Sequence, residues 1–317
     1  QPPNSTSCAV PAPVTLGNAN RPKAAAFRPP PESRRPFRWV YQPCESTPRH
    51  ATAVTSGAST PIIAIVGATA TGKTALSVDL ANRIDGEIIN ADAMQFYRGM
   101  DIGTAKATVE ERGGVPHHLI DVFDLPQEAS VAEFQTTARH LISQIRARGK
   151  TPILVGGSGL YVRAVLDRIE FPPTDPTVRE KWEQHLETHG LNSTLATLKE
   201  RDPVSADRLG DARRIVRALE VHELTGRPFS SFMPEREYVD PNTRQIGLSI
   251  DRPVLHERIS LRVQNMIDQG LAEEVTRLLP QGLQTAPTAS RAIGYPQTIK
   301  YLHGEIDRKQ WAEKIAT

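Results

Sequence analysis

From Pro61 onward the chain sets short apolar runs between longer stretches of helical period, and each pattern predicts an element. Residues 62–66, Ile-Ile-Ala-Ile-Val, are continuously apolar and mostly β-branched, as in a strand buried on both faces of a parallel sheet. Leu76, Leu80, Ala81 and Ile84 then fall on one face of a helix. Ile88-Ile89 closes a second short strand, and Pro152-Ile153-Leu154-Val155 supplies another buried one. From Pro172 to Leu224 the pattern turns helical, with Leu186, Leu191, Leu195 and Leu198 set among Arg179, Lys181, Glu183, Glu187 and Lys199. Leu255, Ile259, Val263 and Met266 make the apolar stripe of a later helix. The alternation predicts an α/β fold: a parallel sheet flanked by helices, with a helical insertion domain. The expected division is a core built from 61–166 and 237–317, interrupted by the insertion at 167–236.

Composition adds a boundary at the N-terminal side. Residues 1–60 hold seven basic and two acidic residues and eleven of the 26 prolines. Few apolar side chains are present there to offset ordering entropy, so this stretch is expected to be a disordered Pro/Arg-rich extension. Its acidic-poor, Arg- and Ser-containing character resembles an organelle transit peptide, and it lacks the apolar centre of a secretory signal. The two cysteines, Cys8 and Cys44, both lie in it. That excludes a disulfide-stapled or cysteine-rich zinc fold and fits a cytoplasmic protein. No run approaches the ~20 apolar residues of a membrane span.

The first strand leads into Gly67-Ala68-Thr69-Ala70-Thr71-Gly72-Lys73-Thr74, a full match to the P-loop pattern G-x-x-x-x-G-K-[ST] between a strand and a helix. Backbone N–H groups and the helix N-terminus face an anion there. Lys73 adds a positive charge, and the Thr74 hydroxyl suits a Mg²⁺ ion. A phosphoryl-transfer enzyme adds an Asp at the end of another buried strand. Here the 152–155 strand runs into Gly156-Gly157-Ser158-Gly159, without a carboxylate. The loop is therefore expected to hold a diphosphate that leaves, not a phosphoryl group that is transferred.

The second strand ends in Asn90-Ala91-Asp92-Ala93-Met94-Gln95. The carboxyl ends of neighbouring parallel strands gather at one edge, so Asp92 is expected beside the P-loop as a general base, a magnesium contact or a helix cap. Phe96–Lys106 has two glycines, an aromatic pair and two cations, and reads as a substrate-binding loop more than a core element. His117 and His118 adjoin on a predicted strand and so point to opposite faces, which argues against a shared metal ion.

Taken in order, Gly67–Thr74, Asn90-Ala91-Asp92-Ala93, Tyr97–Lys106 and Gly156-Gly157-Ser158-Gly159-Leu160-Tyr161 resemble the tRNA dimethylallyltransferase family. The likeness continues through Arg213-Arg214-Ile215-Val216-Arg217-Ala218-Leu219-Glu220, the Arg258…Arg262 helix and Gly294-Tyr295. It implies a P-loop NTPase-like core, used to move a dimethylallyl group from dimethylallyl diphosphate to N6 of adenosine 37, beside the anticodon of a tRNA. By that resemblance Asp92 is the general base. Thr69, Lys73, Thr74 and Arg262 hold the diphosphate with Mg²⁺, and the loop from Gly67 through Ala68, Ala70, Thr71 and Gly72 wraps it. Asp92, Ala93, Met94 and Gln95, together with Ser158, Arg179, Arg213, Arg214 and Arg217, face the anticodon stem-loop. A monomer is expected.

The chain departs from the family at Ala68, where Pro is common, at Thr71 and Ala93, where Ser is common, and at Pro296, where Arg is frequent. The resemblance also implies a further basic helical segment beyond Thr317. Rival readings are an adenylate isopentenyltransferase acting on free nucleotide, a P-loop kinase, and a non-catalytic RNA-binding module. The arginine-bearing insertion argues against the first, the missing strand-end Asp against the second, and an intact P-loop with Asp92 against the third.

Overall fold

The structure is a computed structural model, and it describes residues 60–157, 159–232 and 236–317. The expectation of disorder for 1–60 falls, save for Thr60, outside the described residues. A five-stranded sheet runs β3-β2-β4-β1-β5, every pairing parallel. Its strands are β1 (Ile63–Gly67), β2 (Gly86–Asn90), β3 (His117–His118), β4 (Thr151–Gly156) and β5 (Arg244–Leu248). Strand β1 aligns Ile63 with Ile153 of β4 on one side and with Arg244 of β5 on the other.

The apolar runs become the buried strands because both sheet faces are covered. Helix α1 (Lys73–Ile84) and the partly buried Leu76, Val78, Leu80 and Ile84 pack over Ile65, Ile88 and Ile153. On the other face, α3 (Val131–Ala147) and α4 (Gly159–Leu166) cover Ala64, Ile89 and Leu154 with Phe134, Ala138, Ile142, Val162 and Val165. A short helix, α2 (Val109–Arg112), opens with a capping box between Thr108 and Glu111. Each fully buried Ile or Leu of these layers contributes about 1.5–3 kcal/mol.

Between Leu166 and Val239 the chain makes a helical excursion whose ends meet. The Arg168 amide donates to the Glu237 carbonyl at 3.0 Å, and the Val239 amide to the Leu166 carbonyl at 2.7 Å. The excursion comprises α5 (Pro176–Arg201), α6 (Pro203–Arg208) and α7 (Ala212–Thr225). Asp175-Pro176 and Asp202-Pro203 start the first two in the same way: an Asp caps first-turn amides and proline presets the first turn. At Gly190 α5 breaks, with φ at 78°, so its two halves are separate rods. Trp182, Leu198, Ala206, Ile215, Val216, Ala218 and Leu219 form a hydrophobic cluster of this unit's own.

After β5 come α8 (Arg252–Asp268), α9 (Leu271–Leu278), α10 (Tyr295–Leu302) and α11 (Arg308–Ala316). They enclose a cluster with Val263, Met266, Ile267, Val275, Leu278, Tyr295 and Trp311 at its heart, and Tyr97 and Met100 belong to it. This corrects the reading of Phe96–Lys106 as a substrate-binding loop. Phe96, Tyr97, Met100, Thr104 and Lys106 are all buried, and the segment joins the sheet to the C-terminal helices. Its cation Lys106 is neutralised internally, donating to the Tyr97 carbonyl at 2.6 Å and to the Asp101 carboxylate at 2.7 Å, and pairing with Asp121.

Candidate active site

The P-loop occupies the turn between β1 and α1, and its shape follows from its own residues. Gly72 takes φ of 93° and Ala70 of 62°, both in the left-handed region, which turns the chain back on itself ahead of the helix. The Thr71 hydroxyl is buried and donates to the Ala68 carbonyl at 2.8 Å. Its side chain thus braces the loop, leaving its backbone amide for an anion. Ala68, Thr69 and Thr74 are exposed at the loop's mouth. The Lys73 ammonium folds over the loop and donates to the Gly67 and Ala68 carbonyls at 2.9 and 2.8 Å. Burial holds it below the usual lysine range, with Asp92 opposing that shift and Arg262 adding to it.

Asp92 arrives from the end of β2, two strands from the P-loop strand. Its amide donates to the Asn90 side chain at 3.0 Å, and its carboxylate accepts the Met94 amide at 3.1 Å. It therefore caps the 3-10 turn Ala93–Phe96, one of the roles expected of it. Asp92 also lies close enough to Lys73 and to Arg262 of α8 for the charges to act on one another. Burial pushes the Arg262 guanidinium down, and Asp92 opposes that as well. Two desolvated cations thus face one carboxylate beside the phosphate loop.

The close approach of β4 to the Asp92 strand depends on Gly156. A Cβ there would stand 2.8 Å from the Ala91 carbonyl oxygen and Cβ, and the Ala91 amide donates to the Val155 carbonyl at 2.8 Å. Gly157 follows, and a Cβ on it would lie 3.7 Å from the Lys73 Nζ. The end of β4 therefore adjoins the P-loop with backbone alone. The strand runs out in Gly156-Gly157, without a carboxylate, as the sequence suggested.

The remaining expected residues divide. Gln95 turns inward, its amide nitrogen donating to the Thr104 and Ala105 carbonyls at 3.0 and 3.5 Å. Met94 and Ala93 pack against the hydrophobic clusters on either side of the turn. Arg213 and Arg214 are exposed on α7. Arg217 and Arg179 are partly exposed and are held by an interior acid. Both guanidiniums bind the fully buried Glu220 carboxylate, at 2.8 and 2.9 Å, and Arg217 also donates to the Pro172 and Pro173 carbonyls. A carboxylate at that depth requires such partners. Ser158 lies outside the described residues. His117 and His118 have separate partners, the Val115 carbonyl and the Glu87 carboxylate.

Tyr161, the last residue of the Gly156–Tyr161 motif, is not among the expected site residues. It packs against the rings of Phe96 and Phe134, and its hydroxyl is pushed up to about 12 by burial, with Tyr97 and Asp92 adding. A neutral phenol thus lies within reach of Asp92's charge. Its aromatic character alone gave no reason to separate it from the core.

A family model described as IPP transferase matches residues 95–317. The tRNA dimethylallyltransferase of Paenarthrobacter aurescens is 61% identical over 254 residues, covering 80% of this chain and 82% of that one. That of Streptomyces coelicolor is 54% identical over 246 residues, covering 77% and 78%. Among solved structures, the tRNA isopentenylpyrophosphate transferase of Bacillus halodurans superposes with a TM-score of 0.58 at 41% identity, over 81% of this chain and 82% of that one. A eukaryotic dimethylallyltransferase acting on tRNA gives a TM-score of 0.69 at 28% identity, over 81% and 66%. The chain belongs to the IPP transferases, the family of the tRNA dimethylallyltransferases.

Proposed function

We propose that this protein transfers a dimethylallyl group from dimethylallyl diphosphate to N6 of the adenosine at tRNA position 37 and releases diphosphate. The observation that carries this reading is the Asp92 carboxylate, facing Lys73 and Arg262 beside a P-loop whose neighbouring strand ends in glycine.

The exocyclic amine of adenosine is a weak nucleophile because its lone pair is delocalised into the ring. In the proposed step N6 attacks the allylic carbon, the carbon–oxygen bond to diphosphate breaks, and Asp92 accepts the proton from N6. Negative charge grows on the departing diphosphate. The P-loop amides, Lys73 and Arg262 stabilise it in a site where burial has already removed much of the competing water. The donor set fits Mg²⁺. That ion takes few protein ligands alongside substrate oxygens, and Thr74 offers a hydroxyl at the exposed rim of the loop. A bound Mg²⁺ supplies further neutralisation of the leaving group.

In this reading the helical unit of α5 to α7 embraces the anticodon stem-loop, with Arg213 and Arg214 directed to RNA phosphates. The adenosine leaves its stack to reach the half-buried Asp92 carboxylate. No described helix is long and apolar enough to cross a membrane, and a cytoplasmic, monomeric enzyme is the state we propose.

The test supplies the protein with dimethylallyl diphosphate, Mg²⁺ and either unmodified tRNA or AMP, and measures prenylated adenosine in each. Product on tRNA alone is expected. Product on AMP alone would replace this reading with that of an enzyme modifying free nucleotides.

A further inference from the structure

Glu274 is fully buried on α9, yet it is a carboxylate. Four donors satisfy it. The amides of Asp101 and Ile102 donate to one oxygen at 2.9 and 2.7 Å. The Gly103 amide and the Tyr295 hydroxyl donate to the other at 3.1 and 2.7 Å. Three successive backbone amides converging on one anion form a nest. The Tyr295 ring closes the other side so tightly that a Cβ on Gly103 would stand 2.6 Å from it. Burial and the neighbouring Glu274 push the Tyr295 hydroxyl well above the usual tyrosine range, so it stays a donor.

We infer that Glu274 is a positioning residue for the transfer step, holding the segment that carries Asp92 in register with the helix that carries Arg262. This rests on the role proposed above for Asp92. The connection runs through named bonds. Residues 101–103 are fixed by Glu274. The next two carbonyls, of Thr104 and Ala105, accept from the Gln95 side chain. The Gln95 amide in turn donates to the Asp92 carbonyl at 3.1 Å. From the other side, Lys106 ties Asp101 to Asp121, whose amide donates to the Gln95 carbonyl at 3.3 Å. At the far end, α8 and α9 are joined across Gly270 and share one hydrophobic cluster. Arg262 and Glu274 therefore belong to one helical pair. The carboxylate spans the base-bearing and cation-bearing parts of the site without touching substrate.

A glutamine at position 274 keeps the size and one acceptor oxygen, but it turns an amide nitrogen toward donors. The nest then loosens, and with it the placement of Asp92. Misplacement of a reacting group by ~1 Å costs on the order of 100-fold.

The experiment compares the wild type, Glu274→Gln, Asp92→Ala and the double variant, all as the full chain with unmodified tRNA and dimethylallyl diphosphate. The readouts are single-turnover rate, KM for each substrate, the Kd of inorganic diphosphate, and melting temperature. We expect Glu274→Gln to lower the rate by about 10- to 100-fold, with KM and diphosphate affinity nearly unchanged. We expect the double variant to be no slower than Asp92→Ala, because groups acting through one another are non-additive. A wild-type rate for Glu274→Gln, or losses that multiply in the double variant, would overturn the inference. A wild-type rate for Asp92→Ala would instead remove the base assignment, and this inference with it. Should Glu274→Gln fail to fold, Tyr295→Phe, which leaves the carboxylate and its three amides in place, is read in the same cycle. A smaller rate loss that vanishes in the Asp92→Ala background supports the inference, and an unchanged rate overturns it.

Discussion

Arg217 and Glu220 stand one helical turn apart on α7, and the guanidinium lies 2.8 Å from a carboxylate that no solvent reaches. Arg179 approaches the same carboxylate from α5, so two partly exposed arginines are tied to one interior acid of the helical unit. Desolvation alone would raise the Glu220 carboxyl; hydrogen bonds from Arg217, the Asp175 amide and Arg179 outweigh it and hold the group below the usual range. Arg217→Ala should therefore lower stability by about 1–3 kcal/mol, by leaving a buried acceptor short of a donor. Arg213→Ala with Arg214→Ala should leave stability within about 0.5 kcal/mol. That pair should weaken tRNA binding and flatten its salt dependence, by about one counterion for each RNA phosphate that is no longer neutralised. Denaturant titration and binding across a salt series separate the two effects.

Asp92→Ala removes the carboxylate whose charge reaches both Lys73 and Arg262. Turnover should fall by about 100- to 10,000-fold, the range for loss of a general base, while tRNA affinity changes little. A turnover number equal to that of the wild type would sink the base assignment.

Lys73→Ala should weaken binding of dimethylallyl diphosphate and leave tRNA affinity as it is. The same residue gives a pH signature. Its folded-state pKa lies below the ordinary lysine value of 10.5, chiefly through burial. Between those two values the unfolded chain binds more protons than the folded one, so Lys73's contribution makes stability rise with pH there. Diphosphate favours the charged ammonium and raises that pKa again. Binding in alkaline buffer should therefore take up protons, which calorimetry in buffers of different ionisation enthalpy reads directly. Uptake that persists in Lys73→Ala would assign the proton elsewhere.

Gly156→Ala puts a methyl group against the Ala91 carbonyl, where 2.8 Å is available. Gly156 ends β4, and Ala91 directly follows β2 with its amide bonded to the Val155 carbonyl, so neither yields cheaply. A loss of about 1–3 kcal/mol is expected, together with slower turnover, because Ala91 directly precedes Asp92. A melting temperature equal to the wild type would contradict the crowding argument.

The patterns that proved readable were those with a strong physical period or a fixed spacing. The strand at 62–66, the P-loop and the helix after it follow from uninterrupted β-branched residues, glycine placement and a helical stripe; the observed β1 is shifted by one residue, to Ile63–Gly67. Asp92 could be placed because strand ends in a parallel sheet converge. What the sequence could not convey was the partner of each charge. Lys106, Arg179 and Arg217 look alike in a composition count, yet each is bound by a carboxylate remote in sequence or folded beneath it. Glu274 is the sharper case. On α9 it falls among ordinary acidic residues, and only the approach of residues 101–103, some 170 positions earlier, makes it a buried anion.

The placement of β5 has a consequence for how the chain acquires its shape. β1 has β4 on one side, but its other neighbour is made of residues 244–248, about 180 positions downstream. Until those residues join, the strand leading into the P-loop is an open sheet edge, the kind of surface that invites pairing with other chains. Its closure is a pairing of very long sequence separation, which slows folding. During synthesis α5 to α7 are all made before β5, so the phosphate loop gains its second flanking strand only after the helical unit has emerged.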